Sequence, residues 1–521
     1  MKLLARIVQH VESNPDTPAV IGLDETGCRE MTILTYGDML NAALHLASRL
    51  RLHFEAGTHV GLAMGNSAEW IVADLALLLG DLIEVPVPMA FSAEQAAHLL
   101  QHCAIVLTDQ PGSAQLATWC AHSDQPLPVE VTFNLGEHDA LHAKPLPALA
   151  EADADGICKV IHTSGTTSRP KGVRIRRHGL DALLDALWTC ADEHDYRRYL
   201  SLVPFSLLIE QVTGLYMPFS SGGAVLLPPV SMPPIGSPDV RASDRLDLIK
   251  HARPSALTLT PAMVEAIAEK GGEVAAVPVT DSVRSTVVRH VFGQERSPFL
   301  AAGGAPLDPA ILHTLADWGI PVYQGYGLSE KSSVATWNRR GANRIGTVGQ
   351  PLPHVEIKLS EDGELCLRST SLFAGYSGAD PSSCSLDEDG WLHTGDLGAI
   401  DADGYVSITG RRKTLIITSN GRNISPEWLE SRYRSVSGVA EVVVFGDRYQ
   451  FLSGIFLCRA DMNPHEIGQA IRVFAEMHLS EIERVVDPIL VPDSPEARKR
   501  LFTVTGRPRR DAVEEFVSSS N

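Results

Sequence analysis

The sequence contains no Cys-x-x-Cys pair, although it has eight cysteines. Cys28, Cys103, Cys120, Cys158, Cys190, Cys366, Cys384 and Cys458 are scattered along the chain. That spacing indicates neither a zinc site nor a disulfide framework, and it fits reduced cytosolic thiols. Positive charge is also scarce. Lys and Arg number 44 against 63 Asp and Glu, for a formal net charge of −19, which argues against a nucleic-acid surface. No secretory apolar run opens the chain, because "MKLLARIVQHVESNPDTPAV" carries Arg6, His10 and Glu12 too early. It reads as an amphipathic helix ending near Asn14-Pro15. Long uncharged runs are missing too. "IVADLALLLGDLIEVPVP" holds two Asp and a Glu, so it predicts a buried helix leading into a strand rather than a membrane span. No internal repeat or low-complexity tract stands out. A cytoplasmic protein without a membrane-spanning segment is expected.

At 521 residues, 44% of them hydrophobic, the chain is long enough for about two to four domains with large cores. Short apolar runs alternate with helical patterns over roughly the first 400 residues. "HVGLAMGNSAEW" predicts a strand and turn, with a helix from Trp70 to Leu79. "SAEQAAHLLQHC" predicts a helix capped by Ser92, and "AIVLTD" a strand. "RPSALTLTPAMVEAIAEK" predicts a strand to Leu259 and a helix after Thr260-Pro261. That order implies an α/β fold with parallel-rich sheets flanked by helices. From Gly346 the texture changes to short strands, with Asp-Gly turns at Asp362, Asp389 and Asp403. This predicts a small β-rich subdomain. After Arg411, "RRKTLIITSNGRNISPEWLE" leads into a small α/β tail. The boundary is placed at Arg411–Lys413, giving domains 1–411 and 412–521.

The stretch "IHTSGTTSRPKGVRI" is built to hold phosphate. Gly165 and Gly172 let the backbone approach a ligand closely. Thr163, Ser164, Thr166, Thr167 and Ser168 offer hydroxyl donors, and Lys171 adds a point charge for anionic oxygens. Successive N–H groups in such a turn form an anion-binding concavity. A G-x-x-x-x-G-K-[ST] loop does not fit the run, and "GVRI" is extended. The expectation is a strand–loop–strand phosphate clamp; a plain Ser/Thr/Gly surface loop is the alternative.

Three further constellations follow: "YQGYGLSEKSS", "GWLHTGDLGAIDADGYVSITGRRK" and "VTGRPRRDAV". Taken alone, Tyr326 reads as a core aromatic, Asp396 as a turn residue, Glu330 as a solvated helix-start acid, and Arg411-Arg412 as an exposed basic pair. In this order and spacing, the set resembles the adenylate-forming enzymes: acyl-CoA synthetases, firefly luciferase and peptide-synthetase adenylation domains. "NSAEWIVADLALL" and "GRNISPEWLE" look in particular like long-chain acyl-CoA synthetases. The resemblance spans nearly the whole chain. It implies a large N-terminal adenylation domain binding ATP and a carboxylic acid, and a mobile C-terminal domain.

By resemblance, the Thr163–Lys171 loop, with Ser164, Gly165, Thr166 and Thr167, folds over the β- and γ-phosphates. Glu330 holds Mg2+. Tyr326 lies against adenine, with Gly304, Ala305 and Gly327 nearby. Asp396 accepts the ribose hydroxyls, and Arg411 donates to the same sugar. Lys413 is the hinge between two half-reactions. Lys171, Glu330 and Arg507 are the catalytic candidates. Gly421 leaves room for a thin acceptor such as pantetheine; a turn glycine is its plainer reading. Phe205, Leu207, Leu208, Gly303 and Gly327 favour a hydrophobic acid. His162, His178 and His393 look structural.

Two positions depart from the family pattern. Ser168 stands where Gly is common, and Arg507 stands where the C-terminal motif usually carries Lys. Arg keeps the charge and adds a planar fork suited to carboxylate and phosphate. The leading expectation is an ATP- and Mg2+-dependent carboxylate–AMP ligase with CoA as acceptor. The alternatives are an amide-forming ligase using an amine, and a nucleotide-binding relative without turnover.

Overall fold

A computed structural model describes residues 1–123, 125–135, 155–163, 171–232, 242–377, 386–417, 423–447, 451–460, 462–503 and 506–520. Two large sheets carry residues up to Pro351. The six-stranded sheet runs in the order Val129–Thr132, Ile105–Thr108, His59–Ala63, Ile83–Pro86, Ile157–Thr163, Lys171–Arg176. Its strands are parallel except for the last pair, which is antiparallel. The nine-stranded sheet centres on the parallel strands Val322–Leu328, Phe299–Ala302, Ala256–Leu259, Arg198–Leu200 and Ala224–Leu227.

Side chains on these strands alternate between two cores, as the period of 2 requires. Tyr199, Val225, Ala256, Phe299 and Ala301 face a core shared with Val60, Leu62, Ile105 and Leu107 of the other sheet. Leu200, Leu226, Leu257, Leu300 and Ala302 face the opposite way, onto helices Leu246–Ala252, Pro261–Gly272, Asp281–Phe292 and Pro309–Asp317. Helices Tyr36–Arg51, Ala68–Leu79 and Arg177–Trp188 fill the space between the sheets. A buried polar tie crosses that space: Lys159 bonds to Asp74 and Glu84, Tyr216 Oη donates to Asp74, and Gln211 Nε2 donates to Glu84.

Local signals explain most element ends. Ser92 caps Ala93–Leu100 through a reciprocal box with Gln95, and Thr260 caps Pro261–Gly272 with Pro at its first position. The helix expected from Trp70 begins at Ala68, because Ser67 accepts the Trp70 N–H and acts as its cap.

A four-stranded antiparallel sheet follows: Val355–Leu359, Glu364–Ser369, Leu392–Ile400, Val406–Arg411. Gly363, Gly390 and Gly404, each following one of the expected turn aspartates, have φ of 78°, 80° and 81°. Beyond Arg411 the chain builds cores of its own. Strands Val439–Phe445, Leu452–Cys458 and Val485–Pro492 bury Val442, Val444 and Phe456 on one face and Val443, Ile455 and Leu457 on the other. Ion pairs tie this region to the preceding residues: Arg432 to Asp308 at 2.6 Å, Arg459 to Glu269 at 3.1 Å and Arg434 to Glu265 at 3.2 Å. No helix among the described residues is long and apolar enough to cross a membrane.

Candidate functional site

Strands Ile157–Thr163 and Lys171–Arg176 pair antiparallel, with Thr163 opposite Lys171. Ser164, Gly165, Thr166, Thr167 and Ser168, which the sequence places between these strands, lie outside the described residues. Gly172 is required by close approach, because a Cβ there would sit 2.8 Å from Val160 Cγ1 and 3.0 Å from His162 Nε2. His162 is half-buried, and desolvation of its ring lowers its pKa to about 4, so it is neutral near pH 7.

Lys171 is exposed, and its ammonium lies 5.0 Å from the ring centre of Tyr376. Tyr376 Oη donates to Glu330 Oε1 at 2.8 Å. One aromatic side chain therefore joins the two charges expected at the phosphates. The backbone fixes this arrangement. The Ser377 N–H donates to Gly172 O, the Ala374 N–H to Arg174 O, and the Phe373 N–H to Glu330 O.

Glu330 sits in the short turn Ser329–Lys331 between strands Val322–Leu328 and Ser333–Trp337. Ser332 and Ser333 follow with φ of 61° and 99°, a costly region for non-glycine residues. A buried polar cluster holds them there. Ser332 Oγ donates to Ser371 O at 2.7 Å, and Lys331 Nζ bonds to Ser371 Oγ and, at 3.0 Å, to His354 Nε2. Burial lowers the Lys331 pKa to about 7 and that of His354 to about 3, the latter helped by the Lys331 charge. Gly327 packs against this turn so closely that a Cβ would fall 1.8 Å from Ser333 O.

Asp396 and Arg411 stand directly opposite each other on antiparallel strands. Arg411 Nε donates to Asp396 Oδ1 at 2.6 Å, and Tyr326 Oη donates to Oδ2 at 2.6 Å. Burial and then the Asp396 charge raise the Tyr326 pKa well above its ordinary value, so the phenol stays protonated. Burial opposes the Arg411 charge, but bonding to Asp396 outweighs it and raises its pKa. The loop before Asp396 is fixed by Glu364, whose Oε1 accepts the Gly395 N–H at 2.7 Å. Glu364 also takes Arg412 Nη1 at 3.3 Å, and the Arg412 N–H donates to Gly395 O at 2.8 Å. Lys413, exposed in the next turn, comes just after this anchored residue.

Arg507 arrives from the far end of the chain. It is exposed, and its backbone N–H donates to Thr503 Oγ1 at 3.0 Å. Partial desolvation, then repulsion from Arg411, lowers its pKa, while Asp396, Glu427 and Glu330 act in the opposite sense.

Gly303, Gly304 and Ala305 follow the strand Phe299–Ala302. Gly304 has φ 88°, and a Cβ added there would meet no atom within 4 Å, so its backbone faces open space. Phe205 is buried in the core shared by the large sheets, against Trp70 at 6.1 Å between ring centres. Leu207 is half-buried just before the turn Leu208–Glu210. Glu210 is buried and accepts from Tyr199 Oη at 2.8 Å and Ser201 Oγ at 2.7 Å. Its burial nevertheless pushes its pKa up to about 8. Gly421 lies outside the described residues. Sequence reasoning misses Tyr376, Glu364 and Lys331: a Gly-Tyr pair is the only local signal for the first, an acid after an Asp-Gly turn for the second, and Lys331 has none.

The AMP-binding enzyme family model matches residues 7–377. The long-chain-fatty-acid–CoA ligase FadD15 of Mycobacterium bovis is 26% identical over 506 residues, covering 87% of this chain and 81% of the relative. Among solved structures, the anthranilate CoA ligase AuaEII in complex with anthranoyl-AMP aligns with a TM-score of 0.80 at 19% identity, covering 100% of this chain and 98% of its own. The o-succinylbenzoate coenzyme A synthetase MenE of Bacillus subtilis, in complex with ATP and magnesium ion, aligns at 0.73 and 21% identity, covering 97% and 98%. Both share the fold described above.

Proposed function

The chain belongs to the AMP-binding enzyme family, and we propose that it activates a hydrophobic carboxylic acid as acyl-AMP and passes the acyl group to coenzyme A. The observation that carries this reading is the gathering of separate segments around one locus. Lys171 and Glu330 are joined through Tyr376, and Tyr326 and Arg411 through Asp396; the Asp396 and Glu330 charges both act on Arg507. Cations and carboxylates brought together from distant parts of the chain suit a triphosphate, its metal and its sugar.

In this reading the acid's carboxylate oxygen attacks the α-phosphorus of ATP. The new O–P bond forms as the α–β bridging bond breaks, and pyrophosphate leaves. Lys171 and Arg507 stabilise charge that builds on the phosphate oxygens and hold the incoming carboxylate. Asp396 and Arg411 fix the ribose. The acceptor thiol then attacks the acyl carbon, and AMP departs with the bridging oxygen.

A magnesium ion suits the residues present. Glu330 spends Oε1 on Tyr376, which leaves Oε2 to face a cation. Among the described residues no group of three or more His, Cys, Asp or Glu forms a protein cage. One carboxylate plus substrate phosphate oxygens is the arrangement that Mg2+ favours. When bound, the ion would neutralise charge on the triphosphate.

The acid class follows from the apolar character of the 203–219 segment and from the names of the relatives, which include a long-chain-fatty-acid–CoA ligase. A mobile region is proposed to begin after Arg411, with Lys413 as the hinge and 412–521 as the moving part. The test is mass spectrometry of products formed from ATP, a panel of hydrophobic acids, CoA and a mixture of amines. An acyl-CoA is expected; an amide product would replace the thiol acceptor with an amine.

A further inference from the structure

Tyr376 lies between two groups that the proposed chemistry uses, Glu330 and Lys171. Its hydroxyl bonds Glu330 Oε1 at 2.8 Å, and its ring lies 5.0 Å from the Lys171 ammonium. It is not a loosely placed side chain. Tyr376 pairs with Val173 in a bridge along the outer edge of the Lys171–Arg176 strand, and its ring meets Phe373 edge-on at 5.0 Å. Phe373 in turn donates its N–H to the carbonyl of Glu330 itself. The same short segment therefore holds the backbone of Glu330, the carboxylate of Glu330 and the side chain of Lys171.

The geometry points to Tyr376 as a positioning residue that sets how Glu330 meets the cation and where Lys171 meets the triphosphate. This rests on the proposed ATP chemistry at the same locus. A carboxylate with one oxygen tied to a phenol offers its other oxygen singly. Single-oxygen contact suits Mg2+, which demands near-ideal octahedral geometry, whereas Ca2+ accepts both oxygens of a carboxylate and looser coordination. The hydroxyl thus biases the site toward the smaller ion. The ring restrains a flexible lysine by cation–π attraction, which reduces the freedom the side chain must lose when phosphate binds.

The experiment measures Mg2+-dependent ATP binding by titration calorimetry and, beside it, carboxylate-dependent ATP–pyrophosphate exchange against Mg2+ concentration, per folded protein as judged by circular dichroism. Tyr376→Phe keeps the ring and removes the hydroxyl. It is expected to raise the half-saturating Mg2+ concentration about three- to tenfold, the range for losing one hydrogen bond, and to make Ca2+ a stronger inhibitor. The Michaelis constant for the acid should stay unchanged. In a Glu330→Gln background, Tyr376→Phe should add little further loss, because the hydroxyl acts through that carboxylate. Tyr376→Leu, which also removes the ring, should raise the Michaelis constant for ATP beyond the Phe variant, and this extra effect should vanish with Lys171→Ala. Unchanged Mg2+ and Ca2+ responses in Tyr376→Phe, or fully additive losses in the double variants, would overturn the assignment. A parent protein with no Mg2+-dependent exchange would instead sink the proposed ATP chemistry.

Discussion

Replacing Asp396 by Ala tests the sugar site and separates two effects that the structure superimposes. Asp396 is buried and already accepts from Arg411 and Tyr326, each at 2.6 Å. Its removal strands both donors. A buried donor without a partner costs about 1–3 kcal/mol. Arg411 keeps 38% of its side chain exposed and can turn to water, so its share falls toward the weak end. A stability loss of about 1–3 kcal/mol in all is expected. The loss in nucleotide binding is separate. Hydrogen bonds to a charged group contribute about 1.5–3 kcal/mol each, and about 1.4 kcal/mol is tenfold in affinity. ATP affinity should therefore fall by about tenfold or more. Tyr326→Phe is the control: it strands no donor and leaves the Asp396 oxygens for the ribose, so ATP affinity should fall far less. Titration calorimetry with ATP, beside urea denaturation of each variant, reads both quantities. An Asp396→Ala protein that is less stable but binds ATP as tightly as the parent would refute the ribose role.

Glu210 gives a pH signature. Its folded pKa of about 8 lies above the ordinary 4.5, so its contribution is fully present below about pH 4.5 and is lost as pH rises through 8. Glu210→Gln should therefore gain stability relative to the parent as pH rises from about 5 to about 8, by an amount on the order of a few kcal/mol; a pH-independent difference in denaturation midpoints counts against a protonated Glu210. Gly327→Ala forces a Cβ to 1.8 Å from Ser333 O, whereas Gly304→Ala meets open space at φ 88°. The first should lower the thermal midpoint far more than the second, whose cost is backbone strain of about 1–3 kcal/mol, and equal shifts would show that the turn at Ser333 yields. Arg507→Ala should lower ATP–pyrophosphate exchange by about tenfold or more while sparing consumption of a chemically made acyl-adenylate, and Arg507→Lys should keep much of the exchange; full exchange in Arg507→Ala would make it a solvated tail charge.

The order of strands and helices was legible because apolar spacing and caps agree locally. Ser92, Thr260 and the Asp-Gly turns each sit where the sequence places them. The helix expected from Trp70 starts earlier because Ser67 caps it three residues ahead of that first large apolar side chain. The fifteen-residue spacing of Asp396 and Arg411 has a simple cause in the structure: a hairpin sets them face to face. What the sequence could not reveal depends on register between distant segments. Tyr376 meets Glu330 only because residues 373–377 lie along the edge of the Lys171–Arg176 strand. Lys331 looks like a surface charge beside Glu330, yet it is buried against Ser371 and His354, forty and twenty-three positions away. Phe205 and Leu207 are adjacent to the same turn, but one enters the core and the other stays half-buried, a distinction that packing alone makes.

Whether this chain is a carboxylate–AMP ligase is decided by following labelled pyrophosphate added to ATP, Mg2+ and a panel of hydrophobic carboxylic acids, with no acceptor. Acid-dependent exchange of pyrophosphate into ATP is expected and, once CoA is added, one AMP and one pyrophosphate per acyl group transferred. Stoichiometric ADP and phosphate, or nucleotide binding with no exchange for any acid in the panel, would contradict adenylate formation.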